Sequence, residues 1–428
     1  MTKFQLVLLM VFGAFIVIGV IFFSIGRSGG RQQVSNVSVW GFMAESEFAQ
    51  VLEELELTND ATYNISYIQK DKDTFDEELV NALADGEAPD VVYINQNQIL
   101  KQNKRLTNIS YDLYPLRDFK NTFVEGTEVM LSDDGVRALP VLIDPLVLYW
   151  NRDIFNEQGV LEAPNNWASF KGELIFTFTQ KNGLSVQRST LPFGTWNNLT
   201  HSKEIVSALI AQAGGDITTR TANGIISALG NRTANGLMPS ELALNFFVDF
   251  SNPQKDFYNW NNSLPDSIDF FASGRSAMYV GLASDNKYIK EKNPNLNFDI
   301  AELPQSAADG EKITFGNITS FALTNSATDV SGAVRFIYAM TTKEATLAQA
   351  KILGIAPARK DALNSADSSD AVQTTVFDSA KYARTWLDPD QQKTDKIFFD
   401  MINSVISGQK RIAESVLTAN REMINLLK

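Results

Sequence analysis

Between residues 37 and 94 the chain alternates three apolar runs with two stretches of helical spacing, and few architectures accept that pattern. Residues 37–40 read as a strand. Phe48, Val51, Leu52 and Leu55 then follow at i, i+3, i+4 and i+7, the spacing of one helix face. Residues 65–68 form a second strand, Phe75, Leu79, Ala82 and Leu83 mark a second helix, and 90–94 (DVVYI) is a third strand. Strand-helix-strand-helix-strand with short links calls for right-handed parallel crossovers. Ligands of such sheets bind beyond the carboxyl ends of the strands. Here those ends fall at residues 41–45 and 95–97.

A length of 428 residues exceeds what one ordinary core supports, so two lobes are expected. The chain has no cysteine, which removes disulfides, thiolate zinc sites, a cysteine nucleophile and a lipid-modified N-terminal cysteine. His201 is the single histidine, so a Ser-His-Asp triad or a multi-histidine metal site has no other residue to use. It follows Thr200 in a polar segment and reads as a solvated surface residue. Asp71, Asp73 and Asp76 alternate like a calcium loop but lack its central glycine and terminal glutamate, and read as a solvated helix start. There is no Walker loop and no G-x-G-x-x-G. No cofactor and no metal are expected.

The net charge of −13 is unevenly spread. Lys3, Arg27 and Arg31 are the only charged side chains in the first 31 residues, leaving 34 basic against 50 acidic residues beyond them, a net of −16. Such a body is repelled by phosphate backbones and by anionic lipid, so no nucleic-acid partner is expected. Residues 6–25 are an uninterrupted apolar run without charge. As a helix they would span roughly 30 Å, enough for a bilayer core. The expectation is an N-terminal transmembrane helix that anchors an extracytoplasmic body through a Gly/Ser/Gln linker ending near residue 35. A cleaved signal peptide, giving a secreted form, is the alternative.

Residues 140–167 (PVLIDPLVLYWNRDIFNEQGVLEAPNNW) join a short apolar strand, an Asn-Arg-Asp turn, a brief helix closed by Gly159 and a Pro-Asn-Asn-Trp start to the next. This resembles the crossover segment of the extracellular solute-binding proteins of ABC importers, in the group containing maltose- and glycerol-phosphate-binding proteins. That family reads Pro, apolar residues, an acidic or polar residue, Leu-Tyr-Tyr-Asn-Lys-Asp-Leu-Phe, Gly, then Pro-x-Thr-Trp. Here Trp150 stands for the second Tyr, Arg152 for the Lys and Asn166 for the Thr. Four further stretches resemble family elements in the same order: 271–281 (FASGRSAMYVG), 297–304 (NFDIAELP), 315–323 (FGNITSFAL, likened to a strand pair) and 354–359 (GIAPAR).

The resemblance implies an α/β, two-lobed periplasmic-binding-protein-like fold of type II, with discontinuous lobes joined at a hinge. Residues 36–143 plus 300–341 would make the first lobe, and 144–299 plus 342–428 the second, with crossings near 143–145, 299–302 and 341–342. It implies capture of a small polar solute, a carbohydrate above all, by closure of a monomer that delivers it to ABC permease subunits without chemistry. A surface glycosidase using two cleft carboxylates, or a membrane-tethered sensory receptor, are the alternatives.

Sugars are held by aromatic faces together with carboxylates and amides. The ligand candidates are therefore Trp40, Phe42 and Glu45 after the first strand, and Asn95, Gln96 and Asn97 after the third. Asp144 stands where maltose-binding relatives carry a ligand-contacting Glu. Tyr149, Trp196, Trp260, Trp386 and Asn317 complete the set, with the 281–285 loop and Ser320 beside them and Arg359 as a structural residue. The family's Trp after the glycine of the 281–285 loop is missing here, so a stacking ring on the second lobe has to come from elsewhere.

Overall fold

The structure, a computed structural model, describes residues 34–222, 224–306 and 310–428. The 6–25 anchor expected from sequence lies outside these residues. Among the described residues no helix is long and apolar enough to cross a membrane.

The first lobe starts with β1 (Ser35–Gly41), α1 (Glu45–Glu54), β2 (Tyr63–Gln69), α2 (Phe75–Asp85) and β3 (Val91–Asn95). β1 pairs in parallel with both β2 and β3, Val37 opposite Ile65 and Val39 opposite Val91, as the strand-helix alternation requires. Phe48 and Val51 of α1 and Phe75 and Leu79 of α2 are buried against this sheet. Each such ring or aliphatic chain contributes about 1.5–3 kcal/mol by leaving water. α2 ends at Gly86 with φ 76°, a left-handed position where a Cβ would be strained. β3 runs without a break into the single turn of α3 (Gln96–Ile99).

One strand joins the lobes. β4 (Leu139–Asn151) is 13 residues long and changes partners midway. Its first part pairs with β7 (Thr314–Thr324), Ile143 opposite Ile318 and Asp144 opposite Asn317. Its second part, from Leu146 onward, lies between β5 (Met278–Leu282) and β6 (Phe298–Glu302). The resulting main path is β5-β4-β7-β3-β1-β2. Residues 315–323, likened by sequence to a strand pair, are a single strand, since β7 runs unturned between β4 and β3.

Two apolar cores flank this crossing. The first gathers Val39, Val92, Phe119, Leu142, Phe321 and Phe336, the second Leu148, Phe155, Phe193, Phe247, Met278 and Phe398. Residues 342–383, grouped by sequence with the second lobe, send Ile355, Leu363, Val376 and Phe377 into the first core. The chain joins the second core only at Trp386 and continues there through α7 (Gln391–Ile406) and α8 (Ile412–Leu426), after α6 (Val330–Met340) has packed on the first. α4 (Ser202–Gln212) and α5 (Asp285–Lys292) belong to the body that carries β5.

Candidate functional site

At the carboxyl end of β3 the backbone turns into α3, and Asn95 closes the turn by accepting the Asn97 N–H at 3.1 Å. Gln96 is fully buried. Its Nε2 donates to Asn317 Oδ1 at 2.7 Å, and its Oε1 accepts the Ile318 N–H at 2.7 Å. A side chain of α3 thereby extends the β7 ladder past its last β3 pair, Thr319 with Asn95, while on the other side Asn317 stands opposite Asp144 of β4. Three residues from distant parts of the sequence (Gln96, Asp144, Asn317) thus converge where β4 leaves the first lobe.

Asp144 reaches the second lobe by accepting the Ser284 N–H at 3.0 Å. Burial pushes its carboxyl up to about 6, and the Asp285 charge acts the same way. The Ser284 hydrogen bonds and the His201 charge oppose them. Ser284 sits in the 282–285 turn, which is held from several sides. Ala283 N–H donates to Pro145 O at 2.9 Å, and Ala283 packs into the first core. Tyr149 Oη donates to Leu282 O at 2.6 Å from beneath. On α5, Lys287 Nζ reaches Glu47 of α1 at 3.1 Å.

Behind the turn lies a part-buried ionic group. Asp285 accepts from Tyr279 Oη at 2.7 Å and from Leu282 N–H at 3.2 Å, and pairs with His201 Nε2 at 3.0 Å. His201 occupies the N-cap of α4 with φ 62°, a left-handed conformation that a non-glycine residue adopts at some cost. Burial disfavours its charge, but attraction to Asp285 outweighs that and, with Glu204 and Asp144 adding, raises the imidazole to about 9. It is therefore a cation at neutral pH. The sequence expectation of a solvated surface histidine is corrected: His201 is walled in by its carboxylate partner at the start of a helix.

The other aromatic and polar candidates scatter. Trp40 is 8% exposed, with Lys70 Nζ 3.8 Å over its ring. Phe42 packs edge-on against Phe75, and Glu45 is exposed with Oε1 accepting the Gln69 N–H at 3.4 Å. Asn97 is buried beside Gln96. Trp196 is half-buried, edge-on to Phe399. Tyr149 is fully buried and supports the 282–285 turn from inside the second lobe. Trp260 is fully buried, its Nε1 donating to Thr195 Oγ1 at 3.0 Å, so it is a core residue and not a wall of any cleft. Trp386 is buried against Phe398, with Nε1 donating to Ser207 Oγ at 3.2 Å. Arg359 ties Thr341 O to Asp361.

Trp386 also borders a second gap between the lobes, a crevice of about 380 Å³ lined by Gly126 and Val129 on one side and Ser207 and Ala211 on the other. It shares no residue with the Asp144 junction. It lies away from the carboxyl ends of β1 and β3, so its size alone does not make it the functional cleft.

Beyond the 281–285 loop, which already held Ser284, sequence reasoning missed His201 as a site residue, Asn286 and Gln98. The last two, with Ser320, carry buried oxygens without a hydrogen-bond partner: Gln98 Oε1, Asn286 Oδ1 and Ser320 Oγ. Gln98 adjoins the named Asn95–Asn97 run and Asn286 adjoins the 281–285 loop, so extending each window by one residue was the available signal. Among the described residues no group of three or more His, Asp or Glu is placed to hold a metal ion. What the junction offers is amides, one carboxyl and an imidazolium pair, a set suited to binding hydroxyls.

A family model described as bacterial extracellular solute-binding protein matches residues 50–376. A Brucella abortus (strain 2308) protein that carries a binding-protein name is 21% identical over 206 residues, 48% of this chain and 46% of that one. The chain thus spans about half the length of the curated relatives it matches. Among solved structures, a cyclo/maltodextrin-binding protein complexed with maltotetraose superposes with a TM-score of 0.74 at 16% identity, covering 91% of this chain and 97% of that one. The cyclic α-maltosyl-1,6-maltose binding protein of Arthrobacter globiformis gives 0.73 at 16%, covering 92% and 99%. An ABC transporter solute-binding protein of Thermotoga lettingae with α-D-tagatose gives 0.66 at 18%, covering 92% and 100%. At these identities the structural likeness speaks to the fold.

Proposed function

The chain belongs to the bacterial extracellular solute-binding proteins, and on that footing we propose that it captures a small carbohydrate between its lobes and delivers it to the permease of an ABC importer. The observation that carries this reading is the junction at the carboxyl ends of β1 and β3. There Gln96 and Asn317 of the first lobe meet Asp144 of the crossing strand and the Ser284 turn of the second. Amides and a carboxyl whose bonds span two bodies joined through β4 are what hinge closure on a hydroxylated ligand needs. Solved relatives of the same fold carry maltotetraose and tagatose, which supports a saccharide in preference to a peptide. Gln96, Asn97, Asp144, Ser284 and Asn317 are the contacts of this reading, with Gln98 and Asn286 as further oxygens for sugar hydroxyls. Trp40, Phe42 and Trp196 remain the aromatic candidates. The protein acts as a monomer outside the cytoplasmic membrane, and residues 6–25 tether it there.

Thermal unfolding against a panel of sugars, polyols, phosphodiesters and peptides tests this. A ligand that binds only the folded state adds about 2.7 kcal/mol at a hundredfold excess over Kd. A rise in midpoint selective for saccharides, without product formation and lost in Gln96→Ala, is the expected result. A rise with peptides alone, or turnover of the saccharide, would sink it.

A further inference from the structure

The first lobe carries a guanidinium with no carboxylate in direct ion-pair contact. Arg137 follows the short strand Gly135–Val136, and its N–H donates to Met130 O at 2.9 Å. Its side-chain Nε and Nη1 are buried and have no hydrogen-bond partner. Charged donors in that state are costly, and native structures give them an acceptor.

The second lobe brings another guanidinium to the same place. Arg220 lies on the hairpin of Thr218–Thr221 and Gly224–Ser227, and its Nη2 crosses to the first lobe, donating to Val129 O at 3.3 Å. Ile225 of the same hairpin packs against the first core. The arginine ion pairs of the described residues belong to Arg152, Arg188, Arg359 and Arg384, so neither Arg137 nor Arg220 has a carboxylate in direct contact. The closest acidic neighbours do not fill the gap. Asp134 Oδ1 is held by Asn108 at 2.7 Å and Ser132 at 2.8 Å, and Asp133 is exposed. Tyr111 turns its hydroxyl to Ser132 O at 2.6 Å. Burial, and then the Arg220 charge, lower the proton affinity of Arg137 against the pull of Asp134 and Asp133.

We propose that Arg137 and Arg220 form a binding site for a tetrahedral oxyanion, phosphate or sulfate, shared between the two lobes. The buried Nε and Nη1 of Arg137 are the donors awaiting it, and the planar guanidinium suits two parallel N–H···O bonds. The site does not depend on the carbohydrate reading. Because each lobe supplies one cation, the anion favours the arrangement in which they meet. Any change it makes in solute affinity is matched by an equal change of its own affinity when solute binds.

The test is thermal unfolding of the full chain in sodium phosphate, sodium sulfate and sodium chloride at matched ionic strength. It is run on the native sequence, Arg137→Gln and Arg220→Gln. Phosphate and sulfate stabilise proteins generally by exclusion from their surface, so the variants carry the decision. The expected result is a midpoint rise with one or both oxyanions that exceeds the chloride response and shrinks to the general effect in both variants. The oxyanion giving the larger variant-sensitive rise is the ligand. Arg220 is exposed, so Arg220→Gln keeps the test open should Arg137→Gln fail to fold. An oxyanion response identical in the native chain and Arg220→Gln overturns the proposal.

Discussion

Where the carboxyl ends of β1 and β3 face the second lobe, the two bodies touch through directed polar bonds: Asp144 to Ser284, Glu47 to Lys287, and Ala283 N–H to Pro145 O. Where Val129 faces Ala211 they stand apart across a crevice, and Thr385 Oγ1 there is buried without a partner. Both gaps are bordered by the same crossing segments, since β7 supplies Asn317 to one and Phe315 to the other. The difference teaches how such a molecule is poised. Rigid bodies on a shared strand close one gap by opening another, and the closed side is the one where polar groups find partners. The loop that achieves this, 282–285, is itself held by the Asp285–His201 ion pair, so closure on that side depends on electrostatics.

The largest effect should come from removing the anchor of that loop. In Asp285→Ala the His201 imidazolium, the Tyr279 hydroxyl and the Leu282 N–H lose their common acceptor. Breaking a fully buried pair from one side costs about 3–5 kcal/mol, and this part-buried one should fall toward the lower end. Urea unfolding of variant against native chain measures it. A loss as small as a surface substitution would mean that the apolar seat of Ala283 holds the loop and the ion pair does not.

The second prediction uses pH to separate the partners. His201 is raised from 6.5 to about 9, so its contribution is complete below its unfolded value and is lost as pH climbs through 9. Asp144 is raised from 3.8 to about 6, which makes the native state hold its proton more tightly than the unfolded one. Its contribution is complete below pH 4 and is lost as pH rises from 4 to 6. Stability attributable to these groups should therefore step down twice on raising pH, once on each side of neutrality. Asp144→Asn should erase the acid-side step alone, and His201→Gln the alkaline one. Chemical unfolding at stepped pH reads both. If Asp144→Asn leaves the acid step in place, another carboxyl carries it.

The parallel β1-β2-β3 unit was legible because its periodicity is local: apolar runs at period two and helix faces at i+3 and i+4 need no knowledge of the rest of the chain. The crossing was legible for a different reason. Residues 140–151 form a continuous apolar strand buried in both bodies, and the single partly exposed polar residue in its middle, Asp144, marks the change of partners. The tryptophans were not legible. Trp386 and Trp196 both pack on the second core and differ in how far it closes over them, while Trp260 is buried edge-on to Phe270, and composition carries none of this. His201 was misread because polar neighbours suggest water. Its environment comes from Asp285, 84 residues later, which reaches it only after β5 has paired with β4. The 342–383 segment was assigned to the wrong core because its apolar faces are generic helix faces, and only tertiary packing chooses between two sheets.

The smallest effect on stability, and the sharpest on the comparison, belongs to Lys287→Ala. The Lys287 side chain is 64% exposed and its partner Glu47 24%, with a separation of 3.1 Å. An exposed pair of this kind contributes about 0–1 kcal/mol at most, reduced by salt. Unfolding midpoints should therefore barely move. Yet the pair exists only when the lobes meet on the Asp144 side, so its whole value falls on the closed state and none on either lobe alone. Small-angle scattering of native and variant chains without added solute should show a larger radius of gyration for Lys287→Ala at low ionic strength, converging at high salt as screening removes the native pair too. A radius unchanged at low salt would leave closure to the Asp144–Ser284 bond and to the buried seat of Ala283, which salt does not screen.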